Sequence, residues 1–267
     1  MKYVDVKEQM LLKNPKLRYL PSFIVNWIKR IVHEDEINEM INLCKHLQGL
    51  EFNNAILSHL GIKINVIGLE KIPLDGKYIF VSNHPLGGLD GIAFISAIGN
   101  RFKNISFPVN DILLSIKNFE PIFVGINKHG NQKRADVLLI NQLYSDSNKQ
   151  ILFFPAGLVS RYINGEIIDP VWQKNFVKKA IEYKRSIVPV YIDGKNSFFF
   201  YLIAKIRKYF GLANIELFLL PNELFRQRNK TITLTIGDII PFDNLNGNHQ
   251  DIVEIIREEV YSLSKVK

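Results

Sequence analysis

The stretch Val81-Ser82-Asn83-His84-Pro85-Leu86-Gly87-Gly88-Leu89-Asp90-Gly91 decides how the rest of the chain is read. The apolar run Tyr78-Ile79-Phe80-Val81 enters a polar loop holding one histidine, two glycines and an aspartate, and a helical pattern through Ile92, Ile95 and Ser96 follows. Strand, loop and helix in that order are the repeating unit of an α/β layer, where ligands collect at the carboxyl ends of the strands. A histidine there titrates near neutrality and can take a proton from a hydroxyl, while a carboxylate holds its ring in one tautomer. Gly87 and Gly88 give the loop the freedom to bring Asp90 back toward His84. The same residues also fit a plain arrangement, with Asp90 capping the helix and His84 bonding loop backbone. Local spacing leaves both open.

Outward from this loop, the chain past residue 60 alternates short β-rich runs with helical stretches. The runs are 62–69, 78–83, 105–110, 122–127, 151–155, 187–192, 215–220 and 231–240. That alternation predicts an α/β fold with a central mixed, largely parallel sheet flanked by helices. Before it, Leu20, Phe23, Ile24, Trp27, Ile28, Ile31 and Val32 recur at helical spacing, with Asn26, Lys29, Arg30 and His33 on the other side. Residues 34–47 begin with acids and end with Lys45 and His46, as the helix dipole prefers. Residues 1–60 therefore read as an N-terminal helical unit and 61–267 as one α/β domain. The apolar stripe of the Trp27 helix suits packing on that domain and also suits a membrane surface.

The 267 residues carry 34 Lys and Arg against 26 Asp and Glu, a formal +8, and are 47% apolar. So much apolar material excludes general disorder. A single cysteine, Cys44, excludes a disulfide framework and any multi-cysteine metal site. Histidines 33, 46, 59, 84, 129 and 249 are scattered without ligand spacing, so no metal is expected. No run approaches the roughly 18 apolar residues of a membrane span, and the first residues lack a signal-peptide apolar core. A cytoplasmic chain with an anionic partner is the expectation, and its dispersed cations match no nucleic-acid recognition motif.

Three further strand ends resemble the first in form. Ile151-Leu152-Phe153-Phe154-Pro155-Ala156-Gly157-Leu158-Val159-Ser160-Arg161 runs from a buried strand into a Pro and Gly loop whose backbone N–H groups suit an oxyanion and whose arginine suits a carboxylate or phosphate. Pro121-Ile122-Phe123-Val124-Gly125-Ile126-Asn127-Lys128 also ends on a cation, whereas Ile187-Val188-Pro189-Val190-Tyr191-Ile192 reads as purely structural.

Asn-His followed by Asp, then Gly-Ile-x-Lys, then Phe-Pro-x-Gly, then Ile-Val-Pro-Val, in that order, resembles the four-block pattern of the glycerolipid and lysophospholipid acyltransferase superfamily. More narrowly, the chain is similar to its hemolysin-like branch, which includes lyso-ornithine and lyso-glycine lipid O-acyltransferases. The likeness also takes in Leu20 to Phe23, Gly49 to Phe52, Trp172 to Ala180 and Asp193 to Ser197. It implies transfer of an acyl group from a thioester, acyl carrier protein or coenzyme A, directly to an acceptor hydroxyl, with no other cofactor. His84 is the implied base and Asp90 its orienting carboxylate. Asn83, Gly87, Gly88, Pro155 and Gly157 form the surrounding loops and candidate oxyanion donors, and Lys128, Ser160 and Arg161 are candidates for the acceptor headgroup. Cys44, on an apolar helix face, reads as a core residue.

The chain makes two departures from the superfamily pattern. Five residues, not four, separate His84 from Asp90, an excess that a bulged loop would absorb. Ala156 and Val159 stand where glutamate and arginine are usual in the third block, with Arg161 two positions on. This argues for an acceptor other than glycerol 3-phosphate or lysophosphatidate, a monoacyl amino-acid lipid being the expectation. A 1-acylglycerol-3-phosphate acyltransferase and a catalytically silent lipid binder are the alternatives. The segment from Asn196 to Phe210 joins aromatics to Lys205, Arg207 and Lys208, as interfacial segments do, and equally fits a core helix with a basic end. The partners implied are an acyl carrier protein, a lyso-lipid and an anionic surface on the inner face of the cytoplasmic membrane.

Overall fold

The computed structural model describes residues 3–13, 15–109, 113–125, 134–211 and 214–266. Four helices open the chain: α1 Val6–Lys13, α2 Ser22–Val32, α3 Glu34–Leu43 and α4 Gly49–His59. There follow β1 Lys63–Ile67, β2 Tyr78–Ser82, α5 Gly88–Gly99, β3 Ile105–Val109, β4 Phe123–Gly125, α6 Arg134–Ser145, β5 Gln150–Phe153, β6 Arg161–Ile163 and β7 Glu166–Ile168. The chain closes with α7 Asn175–Glu182, β8 Ser186–Ile192, α8 Phe198–Tyr209, α9 Leu220–Phe225, β9 Thr231–Ile236 and α10 His249–Ser262.

Seven strands form one sheet in the order β1-β9-β8-β2-β5-β3-β4, parallel at every contact except β8 with β9. The fold is therefore α/β with a mixed, mostly parallel sheet. Central strands covered on both faces need apolar residues at every position, which is why Tyr78 to Val81 and Ile187 to Val190 read as unbroken runs. Alternation sends Phe80, Val188 and Leu234 into one core with Phe52 of α4 and Leu89 and Phe94 of α5. Ile79, Val81 and Ile187 enter the other, with Trp172, Phe176 of α7 and Val253 and Ile256 of α10. Met40, Ile41, Phe52, Ile56 and Leu57, from α3 and α4, belong to the first of these cores, whereas Val6, Met10 and Val32 make a small cluster of their own.

Pro189 sits inside central β8 without loss because its nitrogen faces β9 where that ladder is interrupted. Val190 pairs with Ile236 and the Gly237 N–H donates to the Pro189 carbonyl at 2.8 Å, after which the chain returns at the bridge from Ile187 to Ile240. The expected run 231–240 accordingly ends as a strand at Ile236.

The expected strand at 215–220 is absent. Ile215–Leu219 forms a 3₁₀ turn and α9 starts at Leu220, with Pro221 in its first turn, where a missing N–H costs no helical bond. A two-stranded antiparallel hairpin, β6 with β7, was not expected from the strand pattern. Asn164 and Gly165 turn it, both at positive φ, the backbone that a tight two-residue hairpin requires.

Candidate active site

Strands β2, β5 and β8 run parallel, so their carboxyl ends share one edge of the sheet, and the loops that leave it, 83–87, 154–160 and 193–197, converge there. Side-chain amides fasten the first loop. Asn83 accepts the Ile192 N–H at 2.8 Å and donates to the Ile192 carbonyl at 3.0 Å, extending the β2–β8 ladder by one step. Asn196 donates to the Pro85 carbonyl at 3.0 Å. Leu86 drops into the core beside Gly194, where an added Cβ would stand 2.6 Å from its Cδ1.

His84 then faces Asp90, with Nδ1 and Oδ2 2.9 Å apart. Asp90 is the third residue of α5 and fully buried, and its Oδ2 also accepts the Leu86 N–H at 2.7 Å and the Gly87 N–H at 2.9 Å. Two backbone donors on that oxygen require it to act as acceptor. The ring proton therefore sits on Nδ1, and Nε2 is the nitrogen left with a lone pair. Gly87, at a φ of 78°, turns the chain back onto the helix start, so that five intervening residues still bring Asp90 to His84. The imidazole stacks on the Phe154 ring, centroids 4.1 Å apart, and remains 16% exposed. Burial pushes the Asp90 carboxyl up from its ordinary value, opposed by the bonds from His84, Leu86 and Gly87.

Other expected site residues fare differently. The Gly157 N–H closes a turn onto the Phe154 carbonyl at 3.0 Å and that of Gly87 is held by Asp90, so neither is free as an oxyanion donor. Pro155 lies beneath the loop, its carbonyl accepting the Gln173 N–H at 3.0 Å. Gly88 opens α5, where first-turn N–H groups lack helical partners, and an added Cβ there would meet nothing within 4 Å. Ser160 does not face a ligand: it is 1% exposed and its hydroxyl donates to Asp169 at 2.5 Å. Lys128 lies outside the described residues.

Arg161 is not the free fork that the sequence suggests. Its Nη2 donates to Glu216 at 2.7 Å, Nη1 to the Val159 carbonyl at 2.6 Å, and its guanidinium lies over the Phe200 ring. Arg207 of α8 reaches the other oxygen of Glu216 at 3.0 Å, so this cation points inward rather than to the surface. Burial lowers the Arg161 pKa, opposed chiefly by Glu216. The triad borders the site, because Phe200 packs with Val159 and Leu220, and Leu220 closes over Gly87.

Among the described residues no group of three or more histidine, cysteine, aspartate and glutamate side chains could hold a metal ion, and no helix is long and apolar enough to cross a membrane. Cys44 is buried in the core with Met40 and Phe52.

A strand-end histidine held by a buried carboxylate is an arrangement that suits proton abstraction from a hydroxyl. The acyltransferase family model matches residues 10–266. Lyso-glycine lipid O-acyltransferase of Bacteroides thetaiotaomicron is 39% identical over 265 residues, covering 97% of each chain. The protein of the same name in Phocaeicola vulgatus is 38% identical over 265 residues, 97% of this chain and 95% of its own. The crystal structure of the 1-acyl-sn-glycerophosphate acyltransferase of Thermotoga maritima aligns with 92% of this chain and 94% of its own, at 16% identity and a TM-score of 0.46. Matched along nearly its whole length by the family model and by both relatives, the chain belongs to the acyltransferase family and is an acyltransferase enzyme.

Proposed function

We propose that this enzyme moves a fatty acyl group from a thioester to the hydroxyl of a lyso-lipid, with His84 as general base and Asp90 orienting it, and that the acceptor is a monoacyl amino-acid lipid. The observation that carries the proposal is the 2.9 Å bond from His84 to buried Asp90 at the carboxyl edge of the sheet, in a chain 39% identical to a lyso-glycine lipid O-acyltransferase. Nε2 of His84 takes the acceptor's hydroxyl proton as its oxygen attacks the thioester carbonyl. The tetrahedral intermediate collapses, the thiolate leaves, and the imidazolium returns the proton to sulfur. Acyl transfer is direct, with no acyl-enzyme. The open first turn of α5 at Gly88 replaces Gly87 and Gly157 as the candidate oxyanion donor.

The acceptor reading draws on the Arg161–Glu216–Arg207 triad. Two guanidinium groups share one carboxylate and leave one positive charge over, a match for a single carboxylate better than for a dianionic phosphate monoester. Lys128 remains a further candidate for the headgroup. An acyl carrier protein is the favoured donor, since a chain of net charge +8 suits an acidic partner.

Membrane contact would fall on one face. Phe23 and Trp27 of α2, Phe198 and Phe199 of α8, Tyr209, Phe210 and Phe218 are exposed, and α2 and α8 both pack against the 215–219 turn. Lys205 and Lys208 lie exposed among them and suit an anionic inner leaflet. The test supplies acyl carrier thioester with a monoacyl glycine lipid, a monoacyl ornithine lipid or lysophosphatidate. Diacyl product from the amino-acid lipids and little from lysophosphatidate is expected; preference for lysophosphatidate would overturn the acceptor assignment.

A further inference from the structure

A second carboxylate stands behind His84. Asp169 follows β7 directly and is 1% exposed. Its Oδ1 accepts the His84 backbone N–H at 3.1 Å and the Ser160 hydroxyl at 2.5 Å, and its Oδ2 accepts the Trp172 indole N–H at 2.9 Å. Ser160 returns its own N–H to the His84 carbonyl at 2.8 Å, so the His84 residue is gripped at both its N–H and its C=O. Asp169 is in turn tied to α10: its N–H donates to the Tyr261 hydroxyl oxygen at 2.8 Å, and its carbonyl accepts from Arg257 at 3.2 Å. Three donors on two oxygens are satisfied only by a carboxylate. An asparagine must turn its NH₂ toward either the Trp172 indole or the His84 N–H.

We propose that Asp169 is a positioning residue for acyl transfer: through the backbone of His84 it sets where the imidazole stands, and its negative charge favours the imidazolium formed when the base takes the acceptor's proton. This rests on the reading of His84 as general base. Asp90 of α5 bonds the ring directly, Tyr201 of α8 feels the Asp90 charge, and Arg257 and Tyr261 of α10 bond the Asp169 backbone. Asp169 is buried, and it acts through residue 84 rather than on substrate.

The experiment compares the wild type with Asp169→Asn, Tyr261→Phe and His84→Ala, reading kcat, acceptor KM, the pH profile of kcat/KM and thermal unfolding, with acyl carrier thioester and monoacyl glycine lipid. Asp169→Asn is expected to lower kcat about 100-fold, the scale of a misplaced reacting group, with acceptor KM within about threefold. Its acid limb should move to lower pH, since an imidazolium with one negative charge fewer beside it forms less readily. A folded Asp169→Asn enzyme with wild-type kcat and an unmoved acid limb overturns the inference. Should that variant not fold, Tyr261→Phe decides: it loosens Asp169 without touching residue 84, and a kcat reduced roughly tenfold at unchanged KM supports the role, whereas wild-type kcat overturns it. His84→Ala separates the two levels, since full activity in that variant defeats the base reading itself, while an inactive His84→Ala beside a wild-type Asp169→Asn defeats this inference alone.

Discussion

Nδ1 of His84 lies 2.9 Å from Oδ2 of Asp90, and that oxygen simultaneously receives the backbone N–H groups of Leu86 and Gly87. The carboxylate thus has two duties, closing the loop and orienting the ring, and substitutions separate them. Asparagine retains an acceptor for the two amides, so Asp90→Asn should melt close to the wild type while kcat falls by about 100-fold or more, the low end of what general base catalysis contributes. Asp90→Ala strands both buried N–H groups and should lose roughly 1–3 kcal/mol per stranded donor as well. Thermal unfolding read beside kcat distinguishes the pair, and equal melting of the two variants would count against the dual role.

Adjacent glycines of this loop should respond in opposite ways. Gly87 has φ 78° and an added Cβ would lie 2.8 Å from Leu220, so Gly87→Ala should cost on the order of 1–3 kcal/mol. At Gly88, inside α5, the Cβ would meet nothing within 4 Å, and alanine favours a helix by roughly 0.5–1 kcal/mol. Gly88→Ala should therefore hold or raise stability while lowering kcat/KM, because the space that it fills is where substrate would lie. Undiminished turnover in Gly88→Ala would remove this helix start from the site.

How much of this was legible in the sequence depends on how local each signal is. The sheet was readable because doubly covered strands such as Tyr78 to Val81 are apolar at every position, and the His84–Asp90 pair because a strand end and the helix start just after it hold the two partners six positions apart. Long-range partners were not. Nothing near Arg161 announces that Glu216, 55 residues on, neutralises it, and nothing near Ser160 announces Asp169. The β6–β7 hairpin did have a signal, Asn164-Gly165 between two short apolar runs, and it is this hairpin that delivers Asp169 to the His84 loop. At 215–220 the apolar run imitates a strand, yet buried Glu216 and the following Pro221 belong to a turn and a helix start.

Acid should silence the enzyme before it unfolds it. Burial raises the carboxyls of Asp90 and Asp169 above the ordinary 3.8, so their contribution to stability is fully present below that value and is lost as the pH rises through their folded values. Going down in pH, Asp90, whose Oδ1 has no hydrogen bond to lose, stabilises the fold as it takes up a proton, while a protonated Asp90 no longer supports an imidazolium. Acyl transfer should therefore fall on acidification while the melting temperature holds or rises. Parallel loss of both would contradict this assignment.

The exposed aromatics should govern lipid contact without governing the fold. Trp27 is 62% and Phe198 80% exposed, so Trp27→Ser and Phe198→Ser should leave melting within about 0.5 kcal/mol. Each should weaken partition onto anionic vesicles roughly tenfold, the equivalent of one aromatic left unburied. Lys205→Ala with Lys208→Ala should weaken it further, and only at low salt. Vesicle cosedimentation unchanged in all of these variants would mean that this face packs against something other than lipid.

The central claim is tested most directly by single-turnover acyl transfer from acyl carrier thioester to monoacyl glycine lipid, comparing the wild type with His84→Ala. The account predicts diacyl product from the wild type, a rate lowered by about 100-fold or more in the variant, and no acylated protein in either. Equal rates from both proteins, or an acyl group trapped on the enzyme, would contradict it.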